Sequence, residues 1–126
     1  RLAIEAENQG AFGVVVNAPI SDEVISRIKQ VVDIPVIATI VSERMDIRSR
    51  MEAGADFLNV SGAAATPQIV RSIRTQFPDV PILATGGPND ETILKTIRAG
   101  ANAITYSPPS NGELFADIMQ KYRGKL

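Results

Sequence analysis

The chain has 126 residues, 44% of them hydrophobic, with 13 basic and 14 acidic side chains and a formal net charge of −1. This is enough apolar material for one domain, and the balanced charge leaves no basic footprint for nucleic acid. No apolar stretch approaches the ~18 residues of a membrane span, and no signal-peptide pattern is present. We therefore expect a soluble, cytoplasmic protein that binds neither nucleic acid directly nor a membrane.

His and Cys are both absent from the sequence. Their absence excludes His-based triads, thiolate nucleophiles and His- or Cys-ligated zinc within this chain. A divalent metal would need several convergent carboxylates, which the predicted strands do not supply. No metal and no cofactor is predicted.

Apolar runs and amphipathic segments alternate along the chain. The apolar runs are typical of parallel strands covered by helices, and they span residues 13–17, 35–41, 56–61, 81–86 and 103–107. Apolar residues at three-to-four spacing predict helices after them, at residues 22–32, 44–53, 67–77, 90–99 and 112–123. The pattern predicts an α/β protein built from five strand–helix units.

Two signatures recur within these units. Gly-Ala precedes a strand at Gly10, Gly54 and Gly100, at intervals of 44 and 46 residues. A proline-led strand recurs 46 residues apart, at residues 33–39 and 79–85. One strand and one helix in about 22 residues is the length that a parallel crossover needs. The repeat therefore predicts an all-parallel sheet.

Capping residues mark the predicted helix ends. Ser21, Thr66 and either Asn89 or Asp90 stand at N-cap positions, and Pro67 occupies a first turn. Gly54 and Gly100 are predicted C-caps, because glycine tolerates the left-handed conformation. We assign these glycines no chemical role.

The second half of the chain resembles a known class of proteins. Thr85-Gly86-Gly87-Pro88, followed by a helix and by residues 100–104, resembles the last two units of phosphate-binding eight-stranded TIM barrels. With Phe77-Pro78 before them, the layout is most similar to the keto-deoxy-phosphogluconate aldolase group. It also resembles the glycerol-phosphate-responsive antiterminators, which use a similar barrel for binding. The resemblance implies a parallel β/α repeat that forms part of a (β/α)8 barrel.

Two features depart from the aldolase pattern. Leu58 aligns with the Schiff-base lysine of that group, which argues against class I aldolase chemistry. The last predicted strand ends at Ser107 and is followed by Pro108 and Pro109, which remove two N–H donors from a phosphate-binding loop.

The five predicted strand–helix units are also fewer than a TIM barrel contains, because such a barrel has eight strands and ~250 residues. One interpretation is that the chain is the C-terminal part of a longer barrel, with residues 1–9 ending its third helix. The other is an autonomous five-stranded sheet, whose open edges would pair with another chain or in a homo-oligomer.

Ligands of parallel β/α folds bind at the carboxyl ends of the strands. Alternation places uncharged hydrogen-bonding residues on the inner face there, namely Asn17, Thr39, Asn59, Ser61, Thr85, Thr105 and Ser107. We predict substrate binding by Asn17, Thr39, Asn59, Ser61 and Thr85, while noting that small polar residues also fill the top layer of barrels. Tyr106 alternates to the helix-facing side and is predicted to be core.

Two further groups are candidates. Gly86 and Gly87, with Ser107, are predicted to bind a phosphate where the 90–99 helix begins, and the alternative is a tight turn. Glu43 follows the second strand directly and is the candidate catalytic acid or base, the alternative being a solvated carboxylate in the first turn of a helix.

These features favour a barrel that binds a small phosphorylated or polyhydroxylated ligand, with lyase-, aldolase- or isomerase-like activity. The lack of His, Cys and a lysine within a strand leaves open a non-catalytic phosphometabolite sensor. An inactive barrel fragment is the third alternative.

Overall fold

The computed structural model describes residues 1–87, 89–106 and 110–124. In these ranges the strands are β1 (Val14–Val16), β2 (Val36–Ile40), β3 (Phe57–Val60), β4 (Ile82–Thr85) and β5 (Ala103–Thr105). The helices are α1 (Leu2–Asn8), α2 (Asp22–Val31), α3 (Ile47–Glu52), α4 (Thr66–Gln76), α5 (Asp90–Ala99) and α6 (Asn111–Arg123). A short 3₁₀ turn, Ala63–Ala65, leads into α4.

The five strands form one parallel sheet in the order β1-β2-β3-β4-β5. Each strand pairs in parallel with the next strand along the chain, as Val14 pairs with Val36 and Leu83 with Ala103. Each observed strand lies inside its predicted range. The predicted parallel α/β repeat is confirmed.

One face of the sheet carries the core. On β2, Val36, Ala38 and Ile40 are fully buried and belong to one apolar cluster with Ile25 of α2 and Ile69 of α4. The amphipathic helices bury their apolar stripes on this face, which removes both surfaces from water.

The opposite face of the sheet is open at its edges. Val15 of β1 is 52% exposed, and Ala103 of β5 is also exposed. Ile37 and Phe57, which pair with each other between these edges, are better covered. We call this surface the inner face, because it corresponds to the inner wall of a closed barrel.

A side-chain tie holds the start of β2. The carboxylate of Asp56 accepts a hydrogen bond from the N–H of Val36 at 2.9 Å and one from Lys29 Nζ at 2.7 Å. Lys29 reaches it across Gly54, whose φ is +119° and where a Cβ would lie 3.0 Å from Lys29 Cγ. We call Lys29, Asp56 and the Val36 N–H the first tie.

The second tie repeats this arrangement 46 residues later. Asn102 Oδ1 accepts from the N–H of Ile82 at 2.9 Å and from Arg74 Nη2 at 2.8 Å. Arg74 passes over Gly100, whose φ is +118° and where a Cβ would lie 2.9 Å from Arg74 Cγ. The sequence repeat is therefore also a repeat of tertiary contacts.

Three predictions of local structure are wrong. Helix α3 begins at Ile47 and not at residue 44, because Asp46 caps it by accepting from the N–H of Ser49. Thr66 is not an N-cap; it lies inside α4, buried, and its hydroxyl accepts from the N–H of Gly62. Tyr106 is not in the core, since it is largely exposed.

None of the helices in the described ranges has the length and apolar character that a membrane span requires.

Candidate functional site

Thr39 and Asn59 lie side by side on the inner face near the carboxyl ends of β2 and β3. They are register partners, and Asn59 Nδ2 donates to Thr39 Oγ1 over 3.4 Å. Thr39 is only 5% exposed, whereas Asn59 is half-buried. Among the described residues this long bond is the one hydrogen bond of the Asn59 side chain, so most of the donors and acceptors of its amide have no partner there.

Other predicted substrate-binding residues flank this pair. Thr85 ends β4, pairs with Thr105 of β5 and is half-buried. Ser61 follows β3, and its N–H extends the sheet by donating to the carbonyl of Ile40. Asn17 follows β1 and is exposed. The alternation of the strands thus places Thr39, Asn59 and Thr85 on one face, and Asn17 and Ser61 follow directly after β1 and β3 at the same end of the sheet.

The glycine pair after β4 has divided roles. The N–H of Gly86 donates to the carbonyl of Thr105 at 2.9 Å and is therefore part of the sheet. A Cβ on Gly86 would lie 2.5 Å from Ile104 Cγ2 and 2.8 Å from Ile93 Cγ1, so glycine is needed there for α5 to pack on the sheet. Gly87 has φ +78° and its N–H has no partner in the described part of the chain. A phosphate at this turn would meet Gly87 rather than Gly86.

The electrostatics of this turn do not favour a strongly anionic ligand. Asp90 and Glu91 occupy the first turn of α5, where carboxylates already use the positive end of the helix dipole. Asn89 caps the helix by accepting from the N–H of Thr92. Ser107, the third predicted phosphate ligand, lies outside the described residues.

Glu43 is exposed and lies in the turn between β2 and α3. It lines a cleft of about 250 Å³ together with Ser42, Arg44, Ala65 and Gln68. None of the predicted substrate-binding residues lines this cleft. Glu43 therefore shares a cleft with residues at the start of α4.

Asp22 is the carboxylate at this end of the sheet whose titration is altered. The pKa of Asp22 lies below its ordinary value because the nearby Ser49 and Arg50 side chains favour the charged carboxylate and outweigh the opposing effect of burial. Arg50 Nη1 lies 2.5 Å from Asp22 Oδ1 and joins α3 to the start of α2. Asp22 is therefore engaged in holding two helices together.

In the part of the chain that the structure describes, no lysine lies on a strand. Leu58, the residue aligned with the Schiff-base lysine, is fully buried on the helix-facing side, so the inner positions of β3 are Phe57 and Asn59. Lys29, Lys95 and Lys121 lie on helices. In the described ranges no group of three or more acidic residues could hold a metal ion.

Solved structures share this architecture. A structure described as native KDPGal matches with a TM-score of 0.65 and 23% identity, over 83% of this chain and 50% of its own. A mandelate oxidase variant with (S)-mandelic acid matches with a TM-score of 0.65 and 20% identity, over 83% of this chain and 44% of its own. A protein described as a lactate oxidase from Pediococcus acidilactici matches with a TM-score of 0.67 and 16% identity, over 83% and 43%.

These likenesses establish the fold alone, which is that of consecutive strand–helix units of a TIM barrel. The chain spans half or less of the length of the solved proteins it matches. No protein-family model and no curated protein matches the chain.

Proposed function

We propose that this chain forms the ligand-binding wall of a TIM-barrel protein for a small polyhydroxylated metabolite, phosphorylated or not. The observation that carries the proposal is the set of uncharged polar side chains at the carboxyl ends of β2, β3 and β4, above an apolar strand interior. Thr39, Asn59 and Thr85 offer hydroxyl and amide groups on one face. Such groups pair with hydroxyls and carbonyls without the cost of burying a charge.

The ligand would lie across β2 and β3, with one end towards the Gly87 turn. The N–H of Gly87, which has no partner among the described residues, would donate to a phosphate oxygen there. The acidic first turn of α5 opposes a fully charged phosphate, so we expect the sugar-like part to contribute most of the affinity.

The experiment is a titration of the ¹⁵N-labelled chain with ribose, ribose 5-phosphate and glycerol 3-phosphate, followed by amide shifts. We expect shifts at Thr39, Asn59 and Thr85. Asn59→Leu should weaken binding by about tenfold, which corresponds to one lost hydrogen bond of ~1.4 kcal/mol. Thr75→Val is the control, because Thr75 lies on α4 and its hydroxyl donates to the carbonyl of Arg71. Unchanged affinity in Asn59→Leu, or no binding at tens of millimolar ligand, would contradict the proposal.

Two activities are compatible with such a site. In a lyase or isomerase, Glu43 would act as general acid or base on the bound ligand. In a binding-only sensor, the wall would hold the ligand without turnover, and the absence of Thr39, Asn59 and Thr85 from the cleft that Glu43 lines favours this alternative. Loss of product formation by about 100-fold in Glu43→Gln would support the enzyme. Binding without turnover would support the sensor.

A further inference from the structure

Asn59 has unlike neighbours on its two sides along one row of the sheet. In the register of the strands it lies between Thr39 of β2 and Leu83 of β4, and alternation places all three side chains on the inner face. Leu83 offers no hydrogen-bonding side-chain group, so Thr39 is the row neighbour that engages the amide, with Asn59 Nδ2 donating to Thr39 Oγ1 over 3.4 Å. The amide is therefore held from the β2 side.

The two members of this pair differ in how firmly they are fixed. Thr39 is 5% exposed, and its β-branched side chain is stiff, so the position of its hydroxyl oxygen is set by the strand. Asn59 is half-buried, and the terminal torsion of an asparagine is broad, so its amide can present either the oxygen or the nitrogen to a neighbour. Thr39 therefore decides which end of the Asn59 amide is turned towards β2.

We infer that Thr39 is a positioning residue, which turns the carbonyl oxygen of Asn59 towards the ligand and so selects a ligand with a hydrogen-bond donor above β3. This inference rests on the proposed function, because it concerns the same ligand. With Nδ2 directed to Thr39, Oδ1 is the end turned away from it, and an amide oxygen accepts but does not donate.

This orientation separates the groups that a ligand can place above β3. A hydroxyl group satisfies Oδ1 by donating its proton. A carbonyl, ether or phosphate oxygen at the same place would leave two acceptors facing each other without a proton between them, which costs the desolvation of both. A hydroxylated carbon of the ligand is therefore expected above Asn59, and any phosphate lies elsewhere.

The chain provides a matched set of variants. Thr39→Val keeps the β-branched shape but removes the hydroxyl, whereas Thr39→Ser keeps the hydroxyl. Thr75→Val is the control, because it makes the same change on α4, where the hydroxyl donates to the carbonyl of Arg71. Asn59→Leu removes the amide itself. Circular dichroism confirms that each variant is folded.

The probes are ribose and its analogues in which the 2- or 3-hydroxyl is replaced by hydrogen or by fluorine. Dissociation constants come from amide shifts of the ¹⁵N-labelled chain. The hydroxyl above Asn59 is the one whose replacement by hydrogen weakens binding about tenfold in the unmodified chain, but less than about threefold in Asn59→Leu.

Fluorine at that position accepts weakly and cannot donate. We therefore expect the fluoro analogue to bind no more tightly than the deoxy analogue to the unmodified chain, to Thr75→Val and to Thr39→Ser. In Thr39→Val the released amide can turn Nδ2 towards the fluorine, so the fluoro analogue should bind about threefold more tightly than the deoxy analogue. A loss of packing alone would weaken both analogues equally and would not change their order.

The outcomes separate this inference from the proposed function. Tighter binding of the fluoro analogue by the unmodified chain would mean that Nδ2 faces the ligand, and would overturn the inference. The same order of analogues in Thr39→Val and the unmodified chain would overturn the positioning role of Thr39. Ribose binding in which neither hydroxyl depends on Asn59 would also overturn the inference. If ribose does not bind at all, the proposed function fails together with it.

Discussion

In the first half of the sheet the start of β2 is held by a carboxylate and a lysine, whereas in the second half the start of β4 is held by an amide and an arginine. Both acceptors follow a Gly-Ala pair and both bind the first N–H of the preceding strand. The geometry of the repeat is thus retained while its electrostatics change from an ion pair to a charge–dipole contact. The repeat depends on an acceptor oxygen at this position and not on its charge.

The cations of the two ties also differ in how much they hold together. Lys29 donates to Asp56, and its side chain is 37% exposed. Arg74 donates to Asn102 and also to the carbonyls of Phe77, Pro78, Val80 and Gly100. One guanidinium therefore joins the ends of α4 and α5 to the start of β4, which the single ammonium cannot do.

The largest expected effect is that of removing this arginine. Arg74→Met keeps much of the aliphatic stem over Gly100 but leaves the carbonyls of Val80 and Gly100 without their donor. We expect the free energy of unfolding to fall by about 3 kcal/mol, because unsatisfied buried acceptors cost ~1–3 kcal/mol each. Urea denaturation measures this. Arg71→Met, at an exposed position of the same helix, should change stability by less than about 0.5 kcal/mol. Equal effects of the two variants would refute the assigned role.

Replacing the cation of the first tie by methionine should lower the free energy of unfolding by less than Arg74→Met does. Lys29→Met removes one partly exposed ion pair, and we expect a loss of about 1 kcal/mol or less. Lys95→Met is the control, because its ion pair with Glu91 is more exposed. If Lys29→Met proved as damaging as Arg74→Met, the two ties would be equivalent and the comparison above would fail.

The smallest expected effect is the pH dependence of stability that the first tie contributes. Burial acts to raise the pKa of Asp56, but the hydrogen bonds from Lys29 and from the Val36 N–H outweigh it and hold the pKa below the ordinary 3.8. The tie therefore adds stability above about pH 4, and this contribution is lost as pH falls through the lowered pKa. Because the carboxylate is about one-third exposed, we expect the contribution to be below ~1 kcal/mol.

Asp56→Asn replaces the carboxylate acceptor of the first tie with an amide, which is the kind of acceptor that the second tie uses. We expect this variant to lose less stability than the unmodified chain between pH 6 and pH 3, measured by urea denaturation at each pH. The reverse change, Asn102→Asp, should add a pH dependence of the same sign to the second tie. Parallel stability curves for the original chain and Asp56→Asn would exclude a lowered pKa at this position.

The strands and their parallel order could be predicted from the sequence, because fully buried strands are continuous apolar runs and the 46-residue repeat fixes their spacing. The start of α3 could not be read from apolar periodicity, because Met45, which precedes the helix, is apolar like Ile47 and Met51 within it. The competing signal was Asp46, three residues before Ser49, which caps the helix. Thr66 was misplaced because the short 3₁₀ turn before it carries no distinctive sequence.

The inner-face positions of Thr39, Asn59 and Thr85 followed from simple alternation. The engagement of the Gly86 N–H in the sheet did not, because the sequence does not reveal where the ladder between β4 and β5 ends. Both ties were missed although their signal was present, since Asp56 and Asn102 are 46 residues apart and Lys29 and Arg74 are 45 apart. Polar residues at matching repeat positions are the pattern that would have revealed them.

The strand order has a consequence for how the chain acquires its structure. Residues that pair across the sheet lie only 20 to 24 positions apart in sequence. Contacts at such short sequence separation close small loops. Little chain entropy is therefore lost before each new strand forms its hydrogen bonds and apolar contacts with the strand before it. We therefore expect the sheet to assemble progressively, with β1 and β2 able to pair while the ribosome is still synthesising β4 and β5.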